Sequence, residues 1–196
     1  MFHDIPVSIV EVMAELERRD ERDRDDGTEH LKRLRQIPRE TGRFLAIVAA
    51  SAPEGSWIEI GTSAGYSALW LSLACRARSH VLTTYELLAD KAALARSTFE
   101  AAQVNDVISL VEGDFRDHVD ELDWLSFCFL DAEKDVYLDC YKAVVPHLVT
   151  GGLFVADNVI SHQSELQSFV DEALSDPRVD SLVVPIGKGE LVCRKR

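Results

Sequence analysis

Hydrophobic residues recur along the first quarter of the chain with the spacing of one helix face. The pattern is clearest in residues 7–25, where the apolar positions are Ile9, Val12, Met13 and Leu16. The remainder of that segment is highly charged, which predicts an amphipathic helix. Two further helices are predicted at 31–37 and 41–50. Residues 1–55 are therefore an N-terminal helical segment without a recognisable chemical motif.

From residue 56 onward, short apolar runs alternate with segments at helical spacing. The predicted strands are 57–60, 80–85, 107–111, 126–130, 152–156, 180–185 and 190–194. The predicted helices between them are 65–77, 88–103, 115–121, 135–148 and 163–175. Such alternation predicts an α/β fold with a mostly parallel sheet and helices on both faces. The last two strands, joined by Gly187-Lys188-Gly189, are predicted to form an antiparallel hairpin. We expect a single domain over 1–196, with its α/β core at 56–196.

A glycine-containing turn follows the first predicted strand, in the run E-I-G-T-S-A-G-Y-S-A. Gly61 and Gly65 bracket the turn, and a helix is predicted directly after it. A helix that begins at a strand end presents its backbone amides to a ligand. The same letters also spell Gly-x-Ser-x-Gly, the turn that exposes a serine nucleophile in hydrolases. The turn alone therefore leaves a cofactor site and a hydrolase site open.

Composition and charge narrow the class of protein. The chain is 46% hydrophobic and 28% charged, as expected for a soluble globular domain. No apolar run approaches the ~20 residues of a membrane span, and the N-terminus has no signal-peptide pattern. A net charge of -13 argues against a nucleic-acid partner and agrees with a cationic ligand. The four cysteines lack CxxC spacing and are predicted to be buried free thiols, which fits a cytoplasmic location.

Polar residues follow the ends of several predicted strands. Glu86 ends the second strand, where an acid can accept hydrogen bonds from both ribose hydroxyls of a nucleoside. A charge that favours the next helix dipole is the alternative. Asp114 and Phe115 follow the third strand, where an aromatic ring can contact a nucleobase. Taken alone, these signals are weak.

Two carboxylates and an amide follow the next two strands. Asp131 comes after the fourth strand, with Lys134 three residues later, and Asp157-Asn158 comes after the fifth. An all-oxygen set of this kind suits a hard divalent cation, Mg²⁺ before Zn²⁺. The alternative for each residue is a cap on the following helix or turn. That alternative is weaker for the whole set than for any single member.

Four blocks of the sequence resemble the cation-dependent, S-adenosylmethionine-dependent O-methyltransferases, the group of catechol and caffeoyl-coenzyme-A methyltransferases. They are E-I-G-T-S-A-G-Y-S-A, the acid of T-T-Y-E, F-L-D-A-E-K-D-V-Y and G-G-L-F-V-A-D-N-V. The resemblance covers roughly residues 37–196. It implies a Rossmann-like class I methyltransferase fold, with seven strands of which the last is antiparallel. A homodimer is expected from the family.

The resemblance also implies roles for the residues at the strand ends. The methionine part of S-adenosylmethionine would be surrounded by Glu59, Gly61, Ser63, Gly65 and Ser67. Glu86 would hold the ribose, and Asp114 and Phe115 would border the adenine. Asp131 would contact the cofactor as well as the metal.

The metal and catalytic roles fall on the two specific blocks. Asp131, Asp157 and Asn158 would bind the cation, with Mg²⁺ first and Mn²⁺ or Ca²⁺ as alternatives. Such a cation stabilises the ionised hydroxyl of a substrate. Lys134 would be the general base, because a neighbouring cation disfavours the ammonium form of a lysine. With Asp131 it makes up the catalytic pair, and the predicted substrate is a small catechol-like aromatic compound.

The sequence departs from the family at positions that bear on the substrate. Glu133 stands where animal catechol enzymes have tryptophan, and Lys188 replaces the usual aspartate between two glycines. His162 is interpreted as a helix-start residue, and a contact with the substrate or the metal is the alternative. These residues therefore do not identify the substrate that accepts the methyl group.

Two rival functions are weighed against this one. A tRNA wobble-hydroxyuridine methyltransferase of the same family would need a basic face, whereas the chain has 21 basic and 34 acidic residues. A serine hydrolase would use Ser63, Asp131 and His162, which occur in a known triad order. That interpretation places the nucleophile after the first strand and leaves Glu86 and Lys134 without a role.

Overall fold

The computed structural model describes residues 1–196, apart from the side chain of Leu31. The helices are α1 (Val7–Asp25), α2 (Arg39–Ala50), α3 (Tyr66–Arg78), α4 (Ala89–Ala102), α5 (Tyr137–Val144) and α6 (Gln163–Ser175). The strands are β1 (Ser56–Ile60), β2 (Leu82–Glu86), β3 (Ile108–Glu112), β4 (Leu125–Leu130), β5 (Leu148–Ala156), β6 (Val179–Val184) and β7 (Glu190–Lys195).

The seven strands form one sheet in the order β3-β2-β1-β4-β5-β7-β6. The first five strands are parallel, and β7 runs antiparallel to both β5 and β6. The chain winds outward in one direction from β1 to β3 and then crosses to β4 on the other side. A crevice opens at such a switch point beyond the carboxyl ends of the strands. The predicted sheet and its antiparallel hairpin are confirmed.

Alternating side chains along the strands supply two hydrophobic cores, one on each face of the sheet. In β4, Phe127 and Phe129 pack on the side of α1 to α4, while Cys128 and Leu130 pack on the side of α5 and α6. All six residues of β4 are buried. A central parallel strand covered on both faces reads as a continuous apolar run, which is why this strand is evident in the sequence.

The backbone register aligns the strand ends that carry polar residues. The amide of Asp131 donates to the carbonyl of Ile60 at 3.0 Å, and the amide of Asp157 donates to the carbonyl of Leu130 at 3.1 Å. The ladders between β1, β4 and β5 therefore continue into the first residue after each strand. The residues that follow these strands meet at one edge of the sheet.

Three predicted helices differ from the observed structure. The 115–121 segment is a 3₁₀ helix, Phe115–Glu121. The predicted 135–148 helix consists of α5 between two 3₁₀ turns, Lys134–Val136 and Val145–His147. Pro146 has no amide hydrogen to continue α5, and β5 begins immediately after the second turn.

The predicted helix at 31–37 is wrong over residues 33–37. Apart from the 3₁₀ turn His30–Lys32, this stretch has no helical hydrogen bonding. Carboxylates of α1 bind its backbone instead: Asp23 accepts from the amide of Leu34 at 3.2 Å, and Asp20 accepts from the amide of Gln36 at 3.3 Å. Pro38 further disfavours helical backbone at the residue before it.

The four cysteines are free and buried, as predicted. They are Cys75, Cys128, Cys140 and Cys193. Burial raises the pKa of the Cys75 thiol to about 12, which suppresses the reactive thiolate. Among the described residues, no helix has the length and apolar character needed to cross a membrane.

Candidate active site

A cavity of about 440 Å³ lies at the carboxyl ends of the strands. Nine of the twelve predicted site residues line it: Gly61, Ser63, Ser67, Glu86, Asp114, Phe115, Asp131, Lys134 and Asn158. His162, interpreted as a helix-start residue, lines it as well. Glu59, Gly65 and Asp157 do not line it. The structure therefore brings both groups of candidates, those from the glycine turn and those after β4 and β5, around one space.

The turn after β1 requires glycine at two positions. Gly61 has a φ of +97°, and a Cβ there would overlap the carbonyl oxygen of Asp131. Gly65 has a φ of +89°, and its Cβ would lie 2.5 Å from the ring of Phe99. Both the backbone conformation and the close approach exclude a side chain. The turn consequently packs directly against the end of β4 and against Phe99 of α4.

Glu86 holds the far side of this turn. Its carboxylate accepts from the amide of Ser63 at 2.7 Å and from the amide of Leu88 at 2.9 Å. The side chain is largely buried yet lines the cavity. Two backbone donors fix the orientation of the carboxylate, so that its remaining lone pairs are available to a ligand's hydroxyls.

Glu59 lies beneath the turn and is fully buried in β1. The hydroxyl of Thr84 donates to its Oε2 at 2.6 Å, whereas its Oε1 has no hydrogen-bond partner among the described residues. Burial raises the pKa of Glu59 to about 7, and hydrogen bonding from Ser67 and Thr84 opposes that rise. The pKa of Glu59 is therefore close to neutral pH, and the side chain lies just below the cavity.

Asp114 and Phe115 lie at the end of β3. Asp114 accepts from the guanidinium of Arg116 at 2.6 Å, and this contact lowers the pKa of Asp114. Phe115 is buried and packs edge-on against Tyr85, with ring centroids 5.3 Å apart. The rings of Phe115 and Tyr85 form an apolar wall, and Asp114 with Arg116 forms a charged rim beside it.

The polar group after β4 and β5 is joined by direct contacts. The side-chain amide of Asn158 donates to Asp131 Oδ1 at 2.8 Å, and Lys134 Nζ lies 3.4 Å from the same oxygen. Asn158 has a φ of +72°, a left-handed conformation that places its backbone amide 2.6 Å from Asp157 Oδ1. A strained non-glycine residue of this kind is typical of functional sites.

Asp157 is fully buried, and its Oδ2 has no hydrogen-bond partner. Burial, followed by repulsion from Asp131, raises the pKa of Asp157 to about 6. Glu190 of β7 is also fully buried, both of its carboxyl oxygens lack partners, and burial together with Asp157 raises its pKa to about 10. Both buried acids therefore hold a proton more strongly than an exposed carboxyl group does.

The donor set of Asp131, Asp157 and Asn158 fits a hard divalent cation. It supplies two carboxylates and an amide oxygen, and Asp157 Oδ2 is a buried acceptor without a donor. Among the described residues, no group of three or more His, Cys, Asp or Glu side chains is placed to hold a metal. A cation site here therefore requires the side-chain amide oxygen of Asn158 in addition to the carboxylates of Asp131 and Asp157.

Lys134 is held by groups that the sequence did not single out. Its Nζ donates to the phenol oxygen of Tyr137 at 2.8 Å and to the carbonyl of Ala132 at 2.8 Å. Tyr137 is fully buried at the start of α5, and its ring faces the ammonium group at 4.7 Å. Tyr137 is the last residue of the F-L-D-A-E-K-D-V-Y block. Its position in that block is the sequence feature from which its role could have been predicted.

Residues 32–37, the N-terminal strap, cover the cavity. Lys91 Nζ donates to the carbonyl of Arg33 at 2.6 Å, and the hydroxyl of Ser63 donates to the carbonyl of Leu34 at 3.1 Å. Arg35 pairs with Glu133 at 2.5 Å across the opening. The strap is not evident from the sequence, because the residues that anchor it lie far away along the chain.

The serine hydrolase triad is not assembled. Ser63 donates to a backbone carbonyl, and Nδ1 of His162 lies 3.0 Å from the hydroxyl of Ser161. Asp131 is bound to Asn158 and lies beside Lys134. No described contact links the three residues of the proposed triad.

The parallel sheet with its final antiparallel strand, and the cavity at the strand ends, define the fold of the class I methyltransferases. The chain belongs to the O-methyltransferase family, because a family model with the description O-methyltransferase matches residues 9–196. The predicted resemblance to the cation-dependent, S-adenosylmethionine-dependent O-methyltransferases is confirmed.

Known relatives agree with this assignment. Caffeoyl-CoA O-methyltransferase 1 of Eucalyptus globulus is 28% identical over 178 residues, covering 79% of this chain and 72% of the relative. An O-methyltransferase from Bacillus cereus, solved in complex with SAH, has a TM-score of 0.79 at 19% identity and covers 100% and 94% of the two chains. An SAH-bound methyltransferase from Podospora anserina has a TM-score of 0.79 at 24% identity, covering 98% and 89%.

Proposed function

We propose that this protein transfers a methyl group from S-adenosylmethionine to a hydroxyl of a small catechol-like aromatic compound, with the help of a divalent cation. One observation carries the proposal: the turn after β1, Glu86 and the Asp131–Lys134–Asn158 group all line the same cavity. Donor and acceptor sites within one cavity are what direct transfer between two bound molecules requires.

Glu86 and the turn would hold the cofactor. The two backbone amides on Glu86 orient its carboxylate toward a ribose, and Phe115 offers an apolar wall to the adenine. The carboxyl of Glu59 beneath the turn complements the positive charge of the methionine part of the cofactor. The chain's net charge of -13 also favours a cationic ligand.

Asp131, Asp157 and Asn158 would hold the cation, Mg²⁺ in preference to Mn²⁺ or Ca²⁺. When bound, a divalent cation stabilises the ionised oxygen of a hydroxyl that it contacts. The cation would then supply a countercharge to Asp157, whose buried Oδ2 would gain a partner.

Lys134 would receive the proton of the acceptor hydroxyl. Tyr137 and the Ala132 carbonyl fix its Nζ beside Asp131, so the amine lies next to the oxygen ligands of the cation. A base must lie within hydrogen-bond reach of the proton that it removes. The strap of residues 32–37 would exclude water from the sulfonium methyl group during transfer.

The test is release of S-adenosylhomocysteine with 3,4-dihydroxybenzoate as acceptor, in wild type and three variants. Lys134→Met, Asp131→Asn and Asp157→Asn should each lower kcat/KM by at least about a hundredfold, the scale of a lost base or metal ligand. Asp171→Asn is the matched control, since Asp171 is exposed on α6. Full activity in the three variants would contradict the proposal.

A second arm addresses the tRNA alternative and the oligomeric state. Unmodified and hydroxyuridine-containing tRNA are offered as acceptors, and tRNA turnover above that of catechols would replace the small-molecule proposal. The proposed homodimer is measured by sedimentation of the same sample. A cytoplasmic location stays a prediction.

A further inference from the structure

Lys188 stands out among the cations of the cavity. Six other lysine or arginine side chains line the space, and in the described part of the chain each has a hydrogen-bond partner. They are Arg24, Arg33, Arg35, Lys91, Arg116 and Lys134. Lys188 Nζ has neither a hydrogen bond nor an ion pair with any described residue, although its side chain is half-buried.

The topology puts this lysine on the acceptor side of the cavity. The proposed cofactor contacts follow β1, β2 and β3, while the proposed cation ligands follow β4 and β5. Lys188 precedes β7, the neighbour of β5. From the cofactor side, it therefore lies beyond the cation ligands, where the distal part of an acceptor would extend.

Backbone contacts fix the lysine at that place. The carbonyl of Lys188 accepts from the amides of Ile160 and Ser161 at 3.2 and 3.0 Å. Gly189 has a φ of +96°, and a Cβ there would overlap the side chain of Ile160. The hairpin turn therefore packs directly against the loop that follows Asn158. These contacts fix the backbone of Lys188 next to the proposed cation ligands.

Charge balance identifies the missing partner. Lys188 lies near enough to Asp157 and Glu190 to lower the pKa of both, but it makes no hydrogen bond or ion pair with either among the described residues. A divalent cation held by Asp131 and Asp157 would neutralise those two carboxylates, and Arg35 is already matched by Glu133. The positive charge of Lys188 then remains for the acceptor. A half-buried ammonium group gains most from a charge-assisted hydrogen bond to an anion.

We propose that Lys188 binds a carboxylate on the acceptor, so that the substrate class is an aromatic acid with two adjacent hydroxyls. This inference rests on the proposed function and narrows it. The adjacent hydroxyls would face the cation ligands, and the carboxylate on the opposite side of the ring would meet Lys188. A coenzyme-A ester also carries anions, but its phosphates lie far from the ring, beyond the reach of a lysine inside this cavity.

The experiment compares 3,4-dihydroxybenzoate with its neutral near-isostere 3,4-dihydroxybenzamide, and includes caffeoyl-coenzyme A. The wild type should prefer the acid over the amide by about tenfold in kcat/KM, the scale of one charged hydrogen bond. Lys188→Gln should remove most of that preference, and Lys188→Arg should retain it. Lys142→Gln, an exposed lysine of α5 outside the cavity, should leave the preference unchanged.

Equilibrium binding supplies a second readout. In calorimetry with S-adenosylhomocysteine present, the acid should bind about tenfold more weakly to Lys188→Gln than to wild type. Equal use of acid and amide, or a preference that survives Lys188→Gln, would overturn the inference while methyl transfer still stood. Caffeoyl-coenzyme A as the best acceptor, with Lys188→Gln impairing it most, would overturn it in favour of phosphate recognition. Methylation of no catechol at all would instead refute the proposed function.

Discussion

Replacing Glu59 with glutamine tests the buried acid beneath the turn. In the folded protein Glu59 keeps its proton up to a pH of about 7, compared with its ordinary value of 4.5. The unfolded chain therefore releases this proton first as the pH rises, and the folded state loses stability across that interval. Glu59→Gln cannot lose a proton, so the variant should become progressively more stable than wild type toward alkaline pH.

The magnitude follows from the two pKa values. The difference between a pKa of about 7 and the ordinary 4.5 is worth about 3 kcal/mol, since one pKa unit corresponds to roughly 1.4 kcal/mol. Most of this, about 2 to 3 kcal/mol, falls between pH 5 and pH 8. Any constant cost of burying the amide cancels when the variant-minus-wild-type difference is compared at the two pH values.

Urea unfolding of the ligand-free protein measures that difference, with matched slopes confirming that the unfolded states are comparable. The free energy of unfolding of Glu59→Gln relative to wild type should rise by about 2 to 3 kcal/mol from pH 5 to pH 8. An equal difference at both pH values would refute the reasoning, because it would mean that Glu59 is ionised in the folded protein at both.

Two further substitutions test the proposed general base, Lys134, and the turn after β1. Tyr137→Phe should lower kcat by about tenfold, because Lys134 loses a hydrogen-bond partner, and the KM for S-adenosylmethionine should be unchanged. Tyr141 is equally buried, and Tyr141→Phe should leave kcat at the wild-type value. Equal losses of kcat in the two variants, measured by steady-state kinetics, would contradict a role for Tyr137 in holding Lys134. Gly61→Ala should destabilise the fold by at least about 3 kcal/mol, since it adds a steric overlap to an unfavourable φ. Gly27→Ala, with a φ of +83° and no atom within 4 Å of the new Cβ, should cost only about 1 kcal/mol in the same urea assay.

Much of the fold was evident from the sequence because β4 and its neighbours are covered on both faces. Buried parallel strands leave apolar runs with polar residues directly after them, and the register of the sheet then aligns those residues. Asp131 and Asn158 are joined across β4 and β5 for this reason. Sequence position alone was enough to predict that they meet.

The strap and the buried acids depend on contacts between distant residues, which local patterns do not record. The apolar residues Leu34 and Ile37 suggest a helix, but the carboxylates of Asp20 and Asp23 bind the backbone of this segment in another conformation. Glu190 is the single charged residue in the apolar run 190–193, and its place beside Asp157 follows only from the neighbouring position of β5 and β7. Such tertiary effects override local propensity.

The central claim is cation-dependent methyl transfer to an aromatic hydroxyl, and mass spectrometry of the acceptor after incubation measures it most directly. The protein is stripped with a chelator and incubated with S-adenosylmethionine and 3,4-dihydroxybenzoate, with and without added Mg²⁺. We expect a product heavier by one methyl group that forms only when Mg²⁺ is restored. The same yield of methylated product in the stripped sample would contradict it.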